Sequence, residues 1–386
     1  MVLPEAKAEP EIGGGALPVQ GVDVPPRERD YWLALTRVVG IGPAHFQRLL
    51  AHFGSAERAW HADGPALVAA GLDGRAAQAL LALRRETDPA AEEARLAARG
   101  ITALTLDDAA YPACLRTIAD VPPVLFVRGS LTLADEWAIA IVGTRRASAY
   151  GRQAAEHLAS GLAQAGVTVV SGLARGIDAC AHRAALAAGG RTIAVLGHGL
   201  DTIYPPEHAR LAAEVAANGA LVSEFPLGTR PDAPNFPRRN RILAGLARAT
   251  VVVEAAEKSG ALITVRYALE QGRDVFAVPG SIFSPGSKGT NALIKEGAGL
   301  VTDPRDLLEE LHLSLAAEKQ AVRASLPVDP TEAALLERLS SEPLHVDEVS
   351  RATGLPAATV SSTLVLMELK GLVRQTGPLT YVRAHP

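Results

Sequence analysis

Between residues 138 and 312, short apolar runs alternate with helical stretches, and no other feature of the chain limits its fold so strongly. The runs include AIAIVG (138–143), VTVVSG (167–172), TIAVLG (192–197), ALVSEF (220–225), TVVVEA (250–255), DVFAVPG (274–280) and LVTD (300–303). Each is nearly continuous in Val, Ile, Leu and Ala, the pattern of strands covered on both faces. Between them lie stretches such as GRQAAEHLASGLAQAG (151–166) and GALITVRYALEQG (260–272), with apolar residues at helical spacing and a glycine stop. Strand–helix repeats of this length require parallel pairing through right-handed crossovers. Residues 136–312 are therefore expected to form an open, doubly wound, Rossmann-like α/β sheet. Such sheets bind ligands beyond the carboxyl ends of their strands.

The flanks read differently. Residues 1–26 carry GGG and scattered prolines and are expected to be a disordered tail. Residues 27–100 show helical periodicity throughout and are expected to form a small all-helical domain, with 101–135 as a connecting segment. Residues 313–330 read as a linker. Residues 331–386 hold three helical stretches and a final hairpin with a Gly377-Pro378 turn, the outline of a winged helix-turn-helix.

Composition narrows the function classes. The net charge is −4, so nucleic-acid binding must come from local patches. Of 38 basic residues only six are lysines; codon bias accounts for this more readily than phosphate recognition does. No apolar run reaches the ~18 residues of a membrane span. The N-terminus lacks the basic start and apolar stretch of a secretory signal, and the two cysteines, Cys114 and Cys180, are expected to be reduced thiols of a cytoplasmic protein. There is no G-x-x-x-x-G-K-[ST], no H-E-x-x-H and no G-x-S-x-G. Gly197-His198-Gly199 begins a dinucleotide fingerprint, but Thr202 stands where the third glycine belongs. Asp178 and His182 lie four apart on one helix face, and a local hydrogen bond is preferred to half of a metal site. No catalytic residue, cofactor or metal is expected.

The loops after the strands carry the positive evidence. Gly143 and Thr144 lead into Arg145 and Arg146, where glycine allows close approach of a phosphate and the next helix offers free N–H groups. Ser171, Gly172, Arg175 and Gly176 repeat the combination before the following helix. Phe236 and Pro237 precede Arg238-Arg239-Asn240-Arg241, and residues 226–253 hold five arginines against one acid, Asp232. Three arginines in the first turn of a helix would oppose its macrodipole, which favours a bound anion, and Phe236 could stack on an unpaired base. Val39-Gly40-Ile41-Gly42-Pro43-Ala44 is consistent with a helix-hairpin-helix and equally with a plain αα-turn. Residues 331–386 carry five Lys/Arg against six Asp/Glu, which favours protein contact or packing over duplex readout.

These loops, in this order, resemble the bacterial DNA-processing protein A family (DprA, also called Smf). The resemblance runs through Tyr111-Pro112-x-x-Leu115, IVGTRRASAYG (141–151), VVSGLARGIDACAHRAAL (169–186), TIAVLGHGLDTIYPPEH (192–208), SEFP (223–226), FPRRNRILAGL (236–246), VVVEAAEKSGALIT (251–264), GRDVFAVPGSI (272–282) and GTNALIKEGA (289–298). It implies an N-terminal SAM-like helical domain, an extended Rossmann domain and a C-terminal winged helix. It also implies a non-enzymatic protein that binds and shields single-stranded DNA in natural transformation, helps load a RecA-type recombinase, and forms a homodimer through the Rossmann-like domain. The implied DNA pocket comprises Gly143, Thr144, Arg145, the 171–176 loop and the 238–241 run, with Lys288 and Thr290 included because their loop shares that edge.

Two rival classes fit less well. Nucleotide phosphoribohydrolases share such a sheet and carry a P-G-G-x-G-T-x-x-E loop. Here Ser287 replaces a glycine and Leu293 stands at the carboxylate position, leaving no acid or base for ribose chemistry. A winged-helix transcription regulator is disfavoured by the neutral charge of the C-terminal segment. Binding of duplex DNA is left open.

Overall fold

The computed structural model describes residues 27–312, 330–340, 343–369, 372–377 and 379–383. The expected tail (1–26) and nearly all of the linker (313–330) lie outside the described residues. Six helices open the chain: α1 (Glu28–Thr36), α2 (Pro43–Phe53), α3 (Ala56–His61), α4 (Gly64–Ala69), α5 (Gly74–Leu83) and α6 (Ala91–Ala97). Their starts are set by local chemistry. Ser55, Asp63 and Asp73 cap α3, α4 and α5 by accepting from backbone N–H groups three residues on.

The segment expected only to connect contributes two strands, β1 (Thr102–Thr105) and β2 (Val124–Gly129). They pair antiparallel with each other, and β2 pairs antiparallel with β6. The apolar run VLFV is as continuous as those of the parallel strands. With β1 as the edge, α1 and α6 cover this end of the sheet, so the helical unit and the sheet share one core through Trp32, Leu33, Val124, Phe126, Leu196 and Leu211.

The parallel part follows the expected alternation. It runs β3 (Ile139–Val142), α7 (Ala149–Gln164), β4 (Val169–Ser171), α8 (Ile177–Ala187), β5 (Thr192–Val195), α9 (Ala209–Asn218) and β6 (Ala220–Ser223). It continues with α10 (Asn235–Gly245), β7 (Ala249–Val252), α11 (Ala261–Glu270), β8 (Asp274–Ala277), α12 (Lys288–Lys295), β9 (Gly299–Leu300) and α13 (Pro304–Glu310). The nine-stranded order is β1-β2-β6-β5-β4-β3-β7-β8-β9, parallel from β6 to β9. Both faces are covered. Ile139 and Ile141 pack with Leu158 and Leu162 of α7 and Ile177 of α8, while Ala140 and Val142 pack with Ile242 and Leu243 of α10 and Val265 of α11. This period of two inside an apolar run is what a doubly wound sheet needs.

The order of winding matters most for function. The chain runs from β3 outward through β4, β5 and β6, then crosses back to start β7 on the other side of β3. The loops after β3 and β7 therefore diverge and open a crevice at the carboxyl edge.

The C-terminal unit contains α14 (Pro330–Leu336), α15 (Val346–Thr353) and α16 (Ala357–Leu369), with β10 (Leu344–His345), β11 (Val373–Gly377) and β12 (Thr380–Arg383) in the order β10-β12-β11. It has its own core around Leu335, Val349, Val360, Leu364 and Tyr381. The exposed positions of α16 include Thr359, Ser362, Val365 and Leu366, and the described part of this helix carries no base. Cys114 and Cys180 are both free. Among the described residues no helix is long and apolar enough to cross a membrane.

Candidate nucleic-acid interface

A cavity of about 660 Å³ opens at the β3/β7 switch point. Its walls come from the loop after β3 (Gly143 to Arg146), Ala174 of the loop before α8, Asp178 in the first turn of α8, Tyr204, the start of α10 (Phe236, Arg239, Asn240) and the start of α11 with the residues before it (Ser259 to Thr264). A narrower recess beside it is lined by Gly172, Ala174, Arg175, Tyr204 and Pro205, together with Arg145, Phe236 and Arg239. Arg145 and Arg239, about ninety residues apart in sequence, thus share both walls.

The loop after β3 is held from below. Thr144 N–H donates to Glu254 O at 2.7 Å, and Ile177 N–H donates to Thr144 O at 3.2 Å. Gly176, at φ +79°, lies so close that a Cβ would sit 2.2 Å from Thr144 O. Ser148 caps α7, and its backbone N–H and Oγ both donate to the buried Glu254 carboxylate, at 2.9 and 3.1 Å. With its backbone fixed, the loop presents Arg145 and Arg146 to solvent. Among the described residues neither is paired with a carboxylate. The Arg145 guanidinium lies 5.6 Å from the centre of the Phe236 ring, whose centre is 5.7 Å from that of Tyr204. Cation and aromatic faces therefore occupy one wall.

Arg239 plays a different part. It is 5% exposed, donates from Nη1 to Gly172 O at 2.7 Å and to Val195 O, and from Nε to Asn240 Oδ1 at 3.0 Å. Burial draws its pKa down to about 10, and the nearby Asp178 carboxylate opposes that shift. Asp178 is itself buried, which pushes its pKa up against the attraction of Arg239. Its Oδ2 accepts from Gly172 N–H at 3.1 Å and Ala174 N–H at 3.4 Å. That pair of bonds folds the loop over Leu173, which takes a left-handed φ of +57°. Gly172 is needed there because a Cβ would sit 2.2 Å from the Arg239 guanidinium.

Several expected site residues serve the scaffold instead. Ser171 is buried, and its Oγ donates to Ile141 O at 2.7 Å, pinning β4 to β3. Arg241 is buried in a two-pronged pair with Glu224, at 2.8 and 2.6 Å. Arg175 is exposed but paired with Glu207 at 2.6 Å. Thr290 is buried and donates to Ser287 O, and Lys288 is exposed at the start of α12; neither lines the cavity. Arg238 is exposed, lies over the Phe225 ring at 5.6 Å, and borders a second cavity of about 440 Å³ shared with Val39 to Pro43.

The expected conflict between three arginines and the helix macrodipole is relieved. Helix α10 begins at Asn235, so Arg238, Arg239 and Arg241 follow the first turn rather than occupy it. The early start is allowed because Pro237 sits in the first turn, where its missing N–H has no intrahelical role. Asp178 and His182 do not bond each other. His182 Nδ1 lies 2.7 Å from Thr192 Oγ1, and among the described residues no group of three or more candidate metal ligands exists.

Sequence reasoning missed Tyr204, Asp178 as the brace of the loop before α8, Glu254 and the 259–264 segment. Glu254 left a readable signal, a carboxylate directly after an apolar strand. Tyr204 left one as well, an aromatic residue in a loop after a strand.

Known proteins share this architecture. A family model described as DNA recombination-mediator protein A matches residues 102–312, a DprA winged helix domain matches 319–377, and a DprA-like N-terminal HHH domain matches 26–88. Protein Smf of Synechocystis is 36% identical over 92% of this chain and 99% of its own length. Protein Smf of Escherichia coli is 46% identical over 72% of this chain and 76% of its own. The X-ray structure of DNA processing protein A from Streptococcus pneumoniae superimposes with a TM-score of 0.64 at 36% identity, covering 73% of this chain and 97% of the other. The solved structure of DNA processing protein A from Helicobacter pylori, described by its single-stranded DNA binding mode, gives a TM-score of 0.50 at 31% identity, covering 54% of this chain and 95% of the other.

Proposed function

The chain belongs to the DNA recombination-mediator protein A (DprA/Smf) family, and we propose that it binds single-stranded DNA in the switch-point cavity during natural transformation. The observation that carries this is the wall where Arg145, with no carboxylate partner among the described residues, lies over the Phe236 ring beside Tyr204, with Arg146 exposed on the same loop. Cations hold phosphates without regard to sequence, and every base has a face to stack. The single-stranded DNA binding mode of the Helicobacter pylori relative supports the same ligand.

The role is binding rather than catalysis. The cavity lining holds one carboxylate, Asp178, and that group is engaged by two backbone N–H groups and faces a guanidinium. Family membership supports the rest of the reading, in which a cytoplasmic homodimer formed through the Rossmann-like domain passes the strand to a RecA-type recombinase. Mass measured in solution tests the dimer. Recombinase filament formation on coated single strands tests the transfer.

The binding test is fluorescence anisotropy of single- and double-stranded oligomers across a salt series. If three to five phosphates are neutralised, log K falls with log[salt] at a slope of roughly −2 to −3.5 for the single strand. A flat response, or tighter binding to duplex with Arg145→Ala indifferent, would sink the proposal.

A further inference from the structure

We propose that Ile282 and Phe283 form a stacking platform for unpaired bases of the same strand where it leaves the cavity. The inference rests on the single-strand reading above. Phe283 is 90% exposed, the most exposed of the large apolar side chains among the described residues, and Ile282 beside it is 77% exposed. Isolated exposed apolar residues are common, so exposure alone decides nothing. The way this loop is built does.

The loop after β8 is tightly fastened. Asn291 closes on Gly280 twice, accepting from its N–H at 3.1 Å and donating to its carbonyl at 3.0 Å. Tyr150 OH donates to Pro279 O at 2.6 Å, tying the loop to the start of α7 just beyond Arg145 and Arg146. Ser284 N–H donates to Ser281 O at 3.0 Å, and Ser287 N–H to Ser284 O at 3.1 Å. Gly280 is packed so closely that a Cβ would sit 2.1 Å from Ser287 Oγ. These bonds fix the loop in a form that holds two large apolar side chains in water. With the backbone already fixed, only the rotamer of the ring is ordered on meeting a flat ligand.

Position and charge choose the ligand. The loop stands on the carboxyl edge of β8, two strands from β3, so about 10 Å separates the strand axes. A strand leaving the cavity across this edge reaches the ring within a few nucleotides. Residues 275–295 contain Lys288 and Lys295 and no acid, and Lys288 is exposed. Arg146 is exposed on the neighbouring loop. Exposed cations and an exposed aromatic ring on one sheet edge complement a polyanion with stackable bases. A second copy of the chain is the rival occupant, and the mass measurement below separates the two.

The test uses the full chain and oligothymidylates of increasing length. Phe283→Ala is expected to leave binding of the shortest oligomers unchanged and to weaken binding of long ones roughly five- to tenfold. Phe283→Trp is expected to keep full affinity and to add a fluorescence that long oligomers quench. Arg145→Ala is expected to weaken binding at every length. If Phe283→Ala is silent at all lengths while Arg145→Ala still weakens them, the platform is wrong and the cavity stands. If Arg145→Ala is silent as well, the cavity reading has failed with it. A change in the chain's mass in solution on Phe283→Ala, with long-oligomer affinity intact, assigns the patch to a second copy and overturns the proposal.

Discussion

Two arginines on one cavity wall are expected to behave oppositely when truncated. Arg239→Ala leaves Gly172 O and Val195 O without their buried donor. Each loss costs about 1–3 kcal/mol. Burial already disfavours the guanidinium, as its lowered pKa shows, so removing it returns part of that cost. The net expectation is a loss of roughly 2–4 kcal/mol of stability. Arg145 is exposed and without a carboxylate partner among the described residues, so Arg145→Ala is expected to shift stability by no more than about 0.5 kcal/mol. Its loss should fall on binding, where a charge-assisted bond to phosphate is worth about 1.5–3 kcal/mol, or roughly ten- to a hundredfold in affinity. The salt slope should become shallower by about 0.7. Urea unfolding gives the first quantity, and anisotropy over a salt series gives the other two. An Arg239→Ala protein as stable as the parent, or an Arg145→Ala protein with an unchanged salt slope, would refute the division of labour.

Other changes test the supports. Gly176→Ala should destabilise by at least about 2 kcal/mol, because a left-handed φ and a carbonyl 2.2 Å away both reject a side chain; urea unfolding reads it, and oligomer affinity should fall as the Arg145 loop shifts. Glu224→Ala should cost about 3–5 kcal/mol by leaving Arg241 buried and alone, and pairing it with Arg241→Met should recover much of the loss. His182 is buried, with its pKa drawn down to about 3 by desolvation. Its neutral form is favoured by folding, so its contribution is fully present above about pH 6.5 and is lost as pH falls toward 3, at up to about 1.4 kcal/mol per pH unit. Asp178, whose pKa is raised, acts in the opposite sense and offsets part of this below its unfolded value. A pH series of urea midpoints should show the loss, and His182→Asn should flatten it.

The sheet was legible because burial on both faces leaves a mark that survives in one dimension. IAIV cannot alternate polar and apolar residues when Ile139 and Ile141 face α7 and α8 while Ala140 and Val142 face α10 and α11. The switch-point loops followed from that. The antiparallel edge was less legible. Nothing near 102–129 repeats, and β1 is a four-residue strand half open to solvent, so the segment looked like a connection. Within the cavity, residues whose role is electrostatic stood out, as Arg145 and Arg146 did. Carboxylates acting through burial did not. Glu254 and Asp178 look like surface acids in a string of letters, yet one organises the loop after β3 and the other folds the loop before α8.

The 238–241 run shows why counting charges could not separate these roles. Successive helix residues turn by about 100°, so neighbours in sequence cannot share a surface. Arg238 leaves α10 toward solvent and Phe225, Arg239 points beneath the loop before α8, and Arg241 reaches back to Glu224. A helix wedged between a sheet and its rim converts a local excess of positive charge into one exposed cation and two internal ties. The positive charge this edge would offer the proposed single strand is therefore smaller than the composition suggests, and its exposed part is Arg145, Arg146 and Arg238. The same wedge links the buried Arg239 to the binding proposed above. Arg239 holds the backbone at Gly172 under the wall that Arg145 and Phe236 build above it, so the exposed cation has a fixed position only while the buried one stays in place.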